Sequence, residues 1–167
     1  MTANLTSRLA PLDPAHADAQ ALMARSEALM SALYPSESNH FEPADGLRPP
    51  NGAFWGFWVG QTLVGCGGVK LHAAEDGQAG EAYGEIKRLY VLESARGGGV
   101  ARQLMARLEA ELLERGVHLA RLETGIHQPE ALALYRRLGY VECPPFGGYA
   151  LDPLSVFFEK LLVAATH

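Results

Sequence analysis

The sequence predicts a mixed α/β domain around one central sheet. Three observations carry this expectation. Two β-prone runs, AFWGFWV and TLVGCGGVKL, are separated only by Gly60-Gln61. From Val100 the apolar spacing changes to that of a helix. Strand-like and helical runs then alternate up to the C-terminal SVFFEKLLV.

Taken in order, Asp13-Pro14 reads as a helix start, with Asp as N-cap and Pro at the first helical position. Leu22, Met23, Leu29, Met30 and Leu33 continue a helical stripe, and Tyr34-Pro35 ends it. PSESNHFEPADGLRPPNG reads as a long irregular segment of the kind often used for function. Gly60-Gln61 suits a tight hairpin turn. HAAEDGQAGEA is a polar loop, and YGEIKRLYV is the next strand. Val100, Leu104, Leu108 and Leu112 then form one helical ridge, which Gly116 is placed to end. HLARLET is a strand, Pro129 opens the helix PEALALYRRLG, and SVFFEKLLV is the last strand. The predicted order is helix, hairpin, strand, helix, strand, helix, strand. The 167 residues fit one domain, 1–167.

Composition narrows the class. Apolar residues make up 48%, enough for a packed core, and the net charge of -5 argues against a dedicated nucleic-acid binder. The bases Lys87, Arg88, Arg96 and Arg102 nevertheless gather around one glycine run. Cys66 and Cys143 form no CxxC pair, so a disulfide framework is not expected. The opening MTANLTSRLAPLDPAHADAQ shows no apolar core of signal-peptide length, and no stretch approaches the roughly 18 apolar residues of a membrane span. A soluble cytoplasmic protein with no nucleic-acid or membrane partner is the expectation. The six histidines show no zinc spacing, and no metal is expected.

The glycines Gly97, Gly98 and Gly99 stand where a helix must begin. Glycine is a poor helix former, so the run needs another reason. A helix N-terminus presents unpaired N–H groups and partial positive charge, which suits a phosphate. Glycines before it let a phosphate approach without a Cβ in the way, and Arg96 adds a cation. Neither common nucleotide cradle fits: a P-loop needs Gly-Lys-Ser/Thr, and the dinucleotide fingerprint needs glycine where Arg102 stands. A connector whose glycines only permit a tight turn is the bland alternative.

The segment as a whole resembles a known family. Arg96-Gly97-Gly98-Gly99-Val100-Ala101 fits R/Q-x-x-G-x-G/A, the acetyl-CoA pyrophosphate motif of the GNAT acetyltransferases. EIKRLYV resembles the strand before that motif, and QPEALALYRRLGY resembles the family's later helix, N-x-x-A-x-x-L-Y-x-x-x-G-F/Y. The ordered match spans about residues 54–142, with Gln128 where many members have Asn.

The resemblance implies the GNAT fold: a mixed sheet flanked by helices, with central strands that splay to form the acetyl-CoA slot. It implies acetyl transfer from acetyl-CoA to a small-molecule or peptide amine in a ternary complex, and leaves a homodimer open. Gly97, Gly98, Gly99, Val100, Ala101 and Arg96 would bind pyrophosphate. Leu89, Tyr90 and Val91 would pair with pantetheine along a bulged strand, and Gln128 would contact the cofactor. Tyr135 would be the general acid; otherwise it is a core tyrosine beside Leu132, Leu134 and Leu138. Glu85 is the first candidate base and Glu123 the second; a salt bridge to Lys87 or Arg88 is the plainer role for Glu85. His40 and His127 are further base candidates of low weight, as is a cysteine acyl-enzyme. Residues 35–52 and 143–149 would wall the acceptor site, with Phe41, Trp55, Phe146 and Tyr149 as its aromatics and Arg48 as a carboxylate ligand. A non-catalytic acyl-CoA-binding sensor or interaction module is the alternative function.

Overall fold

The computed structural model describes residues 5–74 and 81–164. Ten elements follow one another: β1 (Ser7–Pro11), α1 (Ala17–Leu33), β2 (Gly52–Val59), β3 (Thr62–His72), β4 (Tyr83–Val91), α2 (Val100–Glu114), β5 (Leu119–Gly125), α3 (Pro129–Arg137), β6 (Val141–Glu142) and β7 (Ser155–Leu161). They form a seven-stranded sheet in the order β1-β2-β3-β4-β5-β7-β6. Every neighbouring pair is antiparallel except β4 and β5.

The predicted helices and the five predicted strands are present. The hairpin turn holds Gly60 at φ 59, and Gly116 and Gly139 end α2 and α3 at positive φ. β1 and β6 are additions. Both are edge strands, and β6 is only two residues long, so neither carries the alternation that marks a half-buried strand. The first helix begins later than Asp13-Pro14 suggests. Asp13 Oδ1 is taken by the Ala15 N–H and by Arg48, and its carbonyl accepts from His16 N–H in a turn. α1 therefore starts at Ala17, where His16 Nδ1 accepts from the Asp18 N–H. Within 35–52 there are two short 3₁₀ turns, the second of which buries Leu47, so the segment is more ordered than its composition suggests. Residues 75–80 of the polar loop lie outside the described residues.

Two helices sandwich the hairpin and β4. On one face Ala19, Leu22 and Met23 of α1 pack on Phe54, Leu63 and Cys66. On the other, Met105, Leu108 and Leu112 of α2 pack on Val69, Ile86 and Ala120. Successive strand residues face opposite sides. Accordingly Cys66 meets α1, while a Cβ at Gly65 would lie 3.0 Å from Val100 and one at Gly67 3.1 Å from Leu108. The glycines of β3 thus allow α2 to seat closely.

Gly84 shows the same constraint most sharply, because a Cβ there would overlap the Leu112 side chain. Leu112 is fully buried. Leu112→Ala should cost about 2–5 kcal/mol in denaturant unfolding. Gly84→Ala alone should cost about 1–3 kcal/mol through overpacking. Together the new methyl enters the space that Leu112 leaves, so the double variant should lose less than the sum. Strict additivity would show that the two sites do not press on each other.

Candidate active site

The early parting of two neighbouring strands opens the cleft of the candidate site. β4 and β5 share only the rungs Gly84↔Ala120 and Glu85↔Arg121. Beyond them β5 stays with β7 as far as Gly125↔Ser155, and β4 stays with β3 as far as Val91↔Gly65. The edge of β4 past Glu85 has no strand partner on the β5 side. β4 also bulges. Two steps on β3, Cys66 to Gly68, face three on β4, Tyr90 to Lys87. Arg88 takes up the extra residue at φ 60. The bulge explains how adjacent Lys87 and Arg88 both sit on a core strand.

At the far end of β4 the chain makes a short 3₁₀ turn, Glu93–Ala95, and enters the glycine run. Gly97 (φ 88) and Gly99 (φ 81) adopt left-handed backbone that glycine alone takes cheaply. Gly99 is the N-cap of α2 and supplies no side-chain cap, leaving the first N–H groups of the helix without one. Gly98 has ordinary φ, and a Cβ there would meet only the Ala95 carbonyl at 3.8 Å. Nothing within the fold asks for glycine at 98. Arg96 donates from Nε to the Val91 carbonyl at 3.0 Å, with its guanidinium 5.6 Å from the Tyr90 ring. Val100 is buried and Ala101 packs beside it.

The cleft between β4 and β5 opens onto a pocket lined by α1, residues 38–41, both strands, α3, Tyr149 and Leu154-Ser155. Tyr135 is buried at its wall, and its hydroxyl has no hydrogen-bond partner among the described residues. Burial, with Glu123 nearby, raises the pKa of its phenol, so it stays protonated at neutral pH. Gln128 Oε1 accepts from the Tyr34 hydroxyl and the Gly125 N–H, both at 3.3 Å. The Tyr34 hydroxyl in turn accepts from the His127 N–H, and the two rings stack. A Cβ at Gly125 would overlap Tyr34, so this contact requires glycine.

The two carboxylates differ. Glu85 is buried, with Oε1 3.0 Å from His72 Nε2 and Oε2 accepting from Tyr149, 3.4 Å from Lys87 Nζ. Burial pushes its pKa up. The contacts with His72, Lys87 and Tyr149 outweigh that and hold it below the ordinary value. Glu123 accepts one hydrogen bond, from Ser155 Oγ at 2.7 Å. Burial dominates there, and its pKa is raised.

Several expected wall residues lie elsewhere. Phe41 and Tyr149 do line the pocket, but Trp55 lies under Arg107 and Phe146 packs with Tyr83, Leu119 and Phe157. Arg48 is held by Asp13 and Asp45 and does not line the pocket. Arg48 and those two rings were drawn toward the site by residue type alone. Tyr34, which looked like a helix terminator, belongs to the site; no local pattern announces a contact 94 residues away. Cys66 is buried, its thiol pushed up to about 12, and it donates to the Arg88 carbonyl, so it is no nucleophile at neutral pH. Among the described residues no group of three or more His, Cys, Asp or Glu could hold a metal ion. No helix among them is long and apolar enough to cross a membrane.

Opposite shifts predict opposite linkage. Glu85 stabilises the fold when ionised, so its contribution is present above 4.5, the unshifted value, and fades as pH falls through its lower folded pKa. Glu123 is the reverse: its favourable contribution is full below 4.5 and is lost as pH rises through its higher folded pKa. At pH 7 Glu85→Gln should lower Tm and Glu123→Gln should raise it; the Glu85 difference fades below pH 4.5, and the Glu123 difference is already lost by the time pH has fallen to 4.5. Thermal scans showing the same sign for both at pH 7 would contradict the assignment.

The comparisons with known proteins agree with this geometry. Residues 19–140 match the family model for the Acetyltransferase (GNAT) family. The "IAA acetyltransferase" of Azospirillum brasilense is 42% identical over 130 residues, covering 78% of this chain and 81% of the relative. The N-acetyltransferase YsnE of Bacillus subtilis (strain 168), itself uncharacterized, is 36% identical over 136 residues, covering 80% and 85%. A solved Klebsiella pneumoniae subsp. pneumoniae MGH 78578 protein assigned to the acyl-CoA N-acyltransferases superposes with TM-score 0.77 at 36% identity, covering 95% of this chain and 99% of that one. Arabidopsis thaliana NAA60 in complex with acetyl-CoA shares the fold at TM-score 0.65 and 18% identity, covering 94% and 100%. With a bulged strand, a splayed slot and an uncapped helix terminus in these positions, the chain belongs to the GNAT family of acetyltransferases.

Proposed function

We propose that the protein transfers an acetyl group from acetyl-CoA to an amine by direct attack in a ternary complex. The observation that carries this reading is the alignment of three parts along β4: the uncapped start of α2 at one end, the unpaired strand edge in the middle, and the pocket with Tyr135 and Glu123 at the other. The parts suit the cosubstrate. Gly98 keeps a space that only a ligand would need kept, and the N–H groups from Gly97 to Ala101 with Arg96 can take a pyrophosphate. The edge at Leu89, Tyr90 and Val91 can take the amide-bearing pantetheine as it would a strand. Gln128 has its carbonyl oxygen engaged, which leaves its amide N–H groups for the ligand.

The pocket then divides the proton work. The amine nitrogen attacks the thioester carbonyl carbon, the C–S bond breaks, and the sulfur leaves as a thiolate that needs a proton. Tyr135 supplies it, since its hydroxyl is protonated and has no partner among the described residues, and its phenolate is restored by the proton that the nitrogen sheds as the amide forms. An ammonium must first lose a proton. Glu123, with its raised pKa and one partner, is better suited to accept it than Glu85, whose oxygens are both engaged. Glu85 instead orients Tyr149 and Lys87. An acyl-CoA-binding module would have no use for the free Tyr135 hydroxyl.

Two measurements test this. Gly98→Glu should leave thermal stability close to wild type and weaken acetyl-CoA binding at least tenfold by calorimetry, through bulk and charge on the phosphate side. Equal affinity would remove the cradle. Tyr135→Phe should lower kcat by about 10²–10⁴-fold in a thiol-release assay, with acetyl-CoA affinity retained. A folded Tyr135→Phe protein with wild-type kcat would retire the acid and leave the binding-module reading.

A further inference from the structure

The pocket wall contains one cation whose donors are not matched. Arg88 stands at the β4 bulge, and its side chain is only 11% exposed. Nη2 donates to Glu27 at 2.7 Å, and Glu27 itself is 42% exposed. Nε and Nη1 are buried and have no acceptor among the described residues. The ring of Phe41, half exposed to solvent, lies 5.0 Å from the guanidinium. Buried guanidinium donors without partners are costly, and such groups in a native protein require an explanation. A left-handed arginine adds to that cost. The neighbouring cation gives the contrast. Lys87 has Glu85, the Tyr149 hydroxyl and the His40 carbonyl as partners, so its donors are taken.

We propose that Arg88 is the subsite for a carboxylate on the acceptor, so the acceptor class is a small amino-carboxylate. The inference rests on the acetyl transfer proposed above and adds to it. A planar guanidinium with free N–H groups is matched chemically to a carboxylate. Arg88 and Glu123 line the same pocket from β4 and β5. A zwitterion entering it finds a cation for its carboxylate and a base for its ammonium. The other charged groups of the wall, Glu85 and Lys87, largely satisfy each other. Phe41 lines the same pocket with its ring 5.0 Å from the guanidinium, so a carboxylate reaching Arg88 would meet it. The carboxylate takes no part in bond making, so its contribution is to binding and falls on KM.

The test uses the full chain with acetyl-CoA and a panel of amino acids, each paired with its own carboxamide. Product is followed by thiol release and mass. Wild type should favour the carboxylate over the carboxamide by about 10- to 100-fold in kcat/KM. In Arg88→Gln that ratio should collapse toward one, the change carried by KM for the carboxylate. Arg88→Lys keeps charge without the planar fork and should fall between. Glu27→Ala removes the acceptor of Nη2 and should keep or enlarge the ratio; it decides the matter if Arg88→Gln fails to fold. Equal rates on acid and amide in wild type, or an Arg88→Gln protein that loses both by the same factor, would overturn the subsite. Acetylation of amines lacking a carboxylate, with none of the amino acids, would overturn it while acetyl transfer stood. Bound acetyl-CoA with no amine acetylated would overturn both.

Discussion

The parting of β4 from β5 after two rungs is the constraint on which the rest of the site depends. A parallel pair inside a sheet normally continues for the length of its strands, because each unpaired amide otherwise gives up a hydrogen bond. Here β5 keeps its full antiparallel ladder with β7, and β4 keeps its own with β3. The strand edges left between them are offset by whatever enters the gap. This makes the slot a property of the backbone rather than of the side chains of Leu89, Tyr90 and Val91. The bulge at Arg88 serves the same geometry, since it turns the strand just where the pairing on the β5 side has ended.

The order of elements was legible because the core elements follow simple periodicities. The α2 ridge at Val100, Leu104, Leu108 and Leu112 is fully buried or nearly so, as its spacing requires. The glycine run was legible for the same kind of local reason: three glycines before a helix go against helix propensity, and two of them take the left-handed backbone that glycine adopts cheaply. What stayed hidden was long-range. The Tyr34 contact joins the end of α1 to the start of α3, across the mouth of the slot. The clash that a Cβ at Gly125 would make with Tyr34 is invisible until both are placed. β1 and β6 escaped because an edge strand needs few apolar residues. Asp13-Pro14 misled because a side chain that caps a helix can equally cap a turn, and Arg48 decides for the turn.

The electrostatics of the pocket were not readable from types and spacing either. Glu85 and Glu123 are both strand glutamates flanked by similar residues, yet their environments push them apart. Glu85 faces β3, the side of His72, and collects the Tyr149 hydroxyl and the Lys87 ammonium as well. Glu123 faces the region where the sheet has opened, and among the described residues Ser155 is its one hydrogen-bond donor. One strand separation thus produces two carboxylates of opposite character. Such pairs are what acid and base assignments are built on.

Tyr149 ties these strands of argument together. It comes from the segment 143–149, which carries no helix or strand, yet both its hydroxyl and its ring are held. Its hydroxyl donates to Glu85 and accepts from Lys87, and its ring meets His40, Phe146 and Phe157 edge-on. Lys87 in turn reaches the His40 carbonyl in the segment after α1. The two irregular segments on either side of the pocket are therefore clamped to one rung of β4 by a single buried carboxylate. The Glu85 carboxylate thus holds residues of both segments that line the pocket. The strand whose edge past Glu85 lacks a partner on the β5 side is thus also the strand whose Glu85 and Lys87 hold the two pocket-lining segments in place.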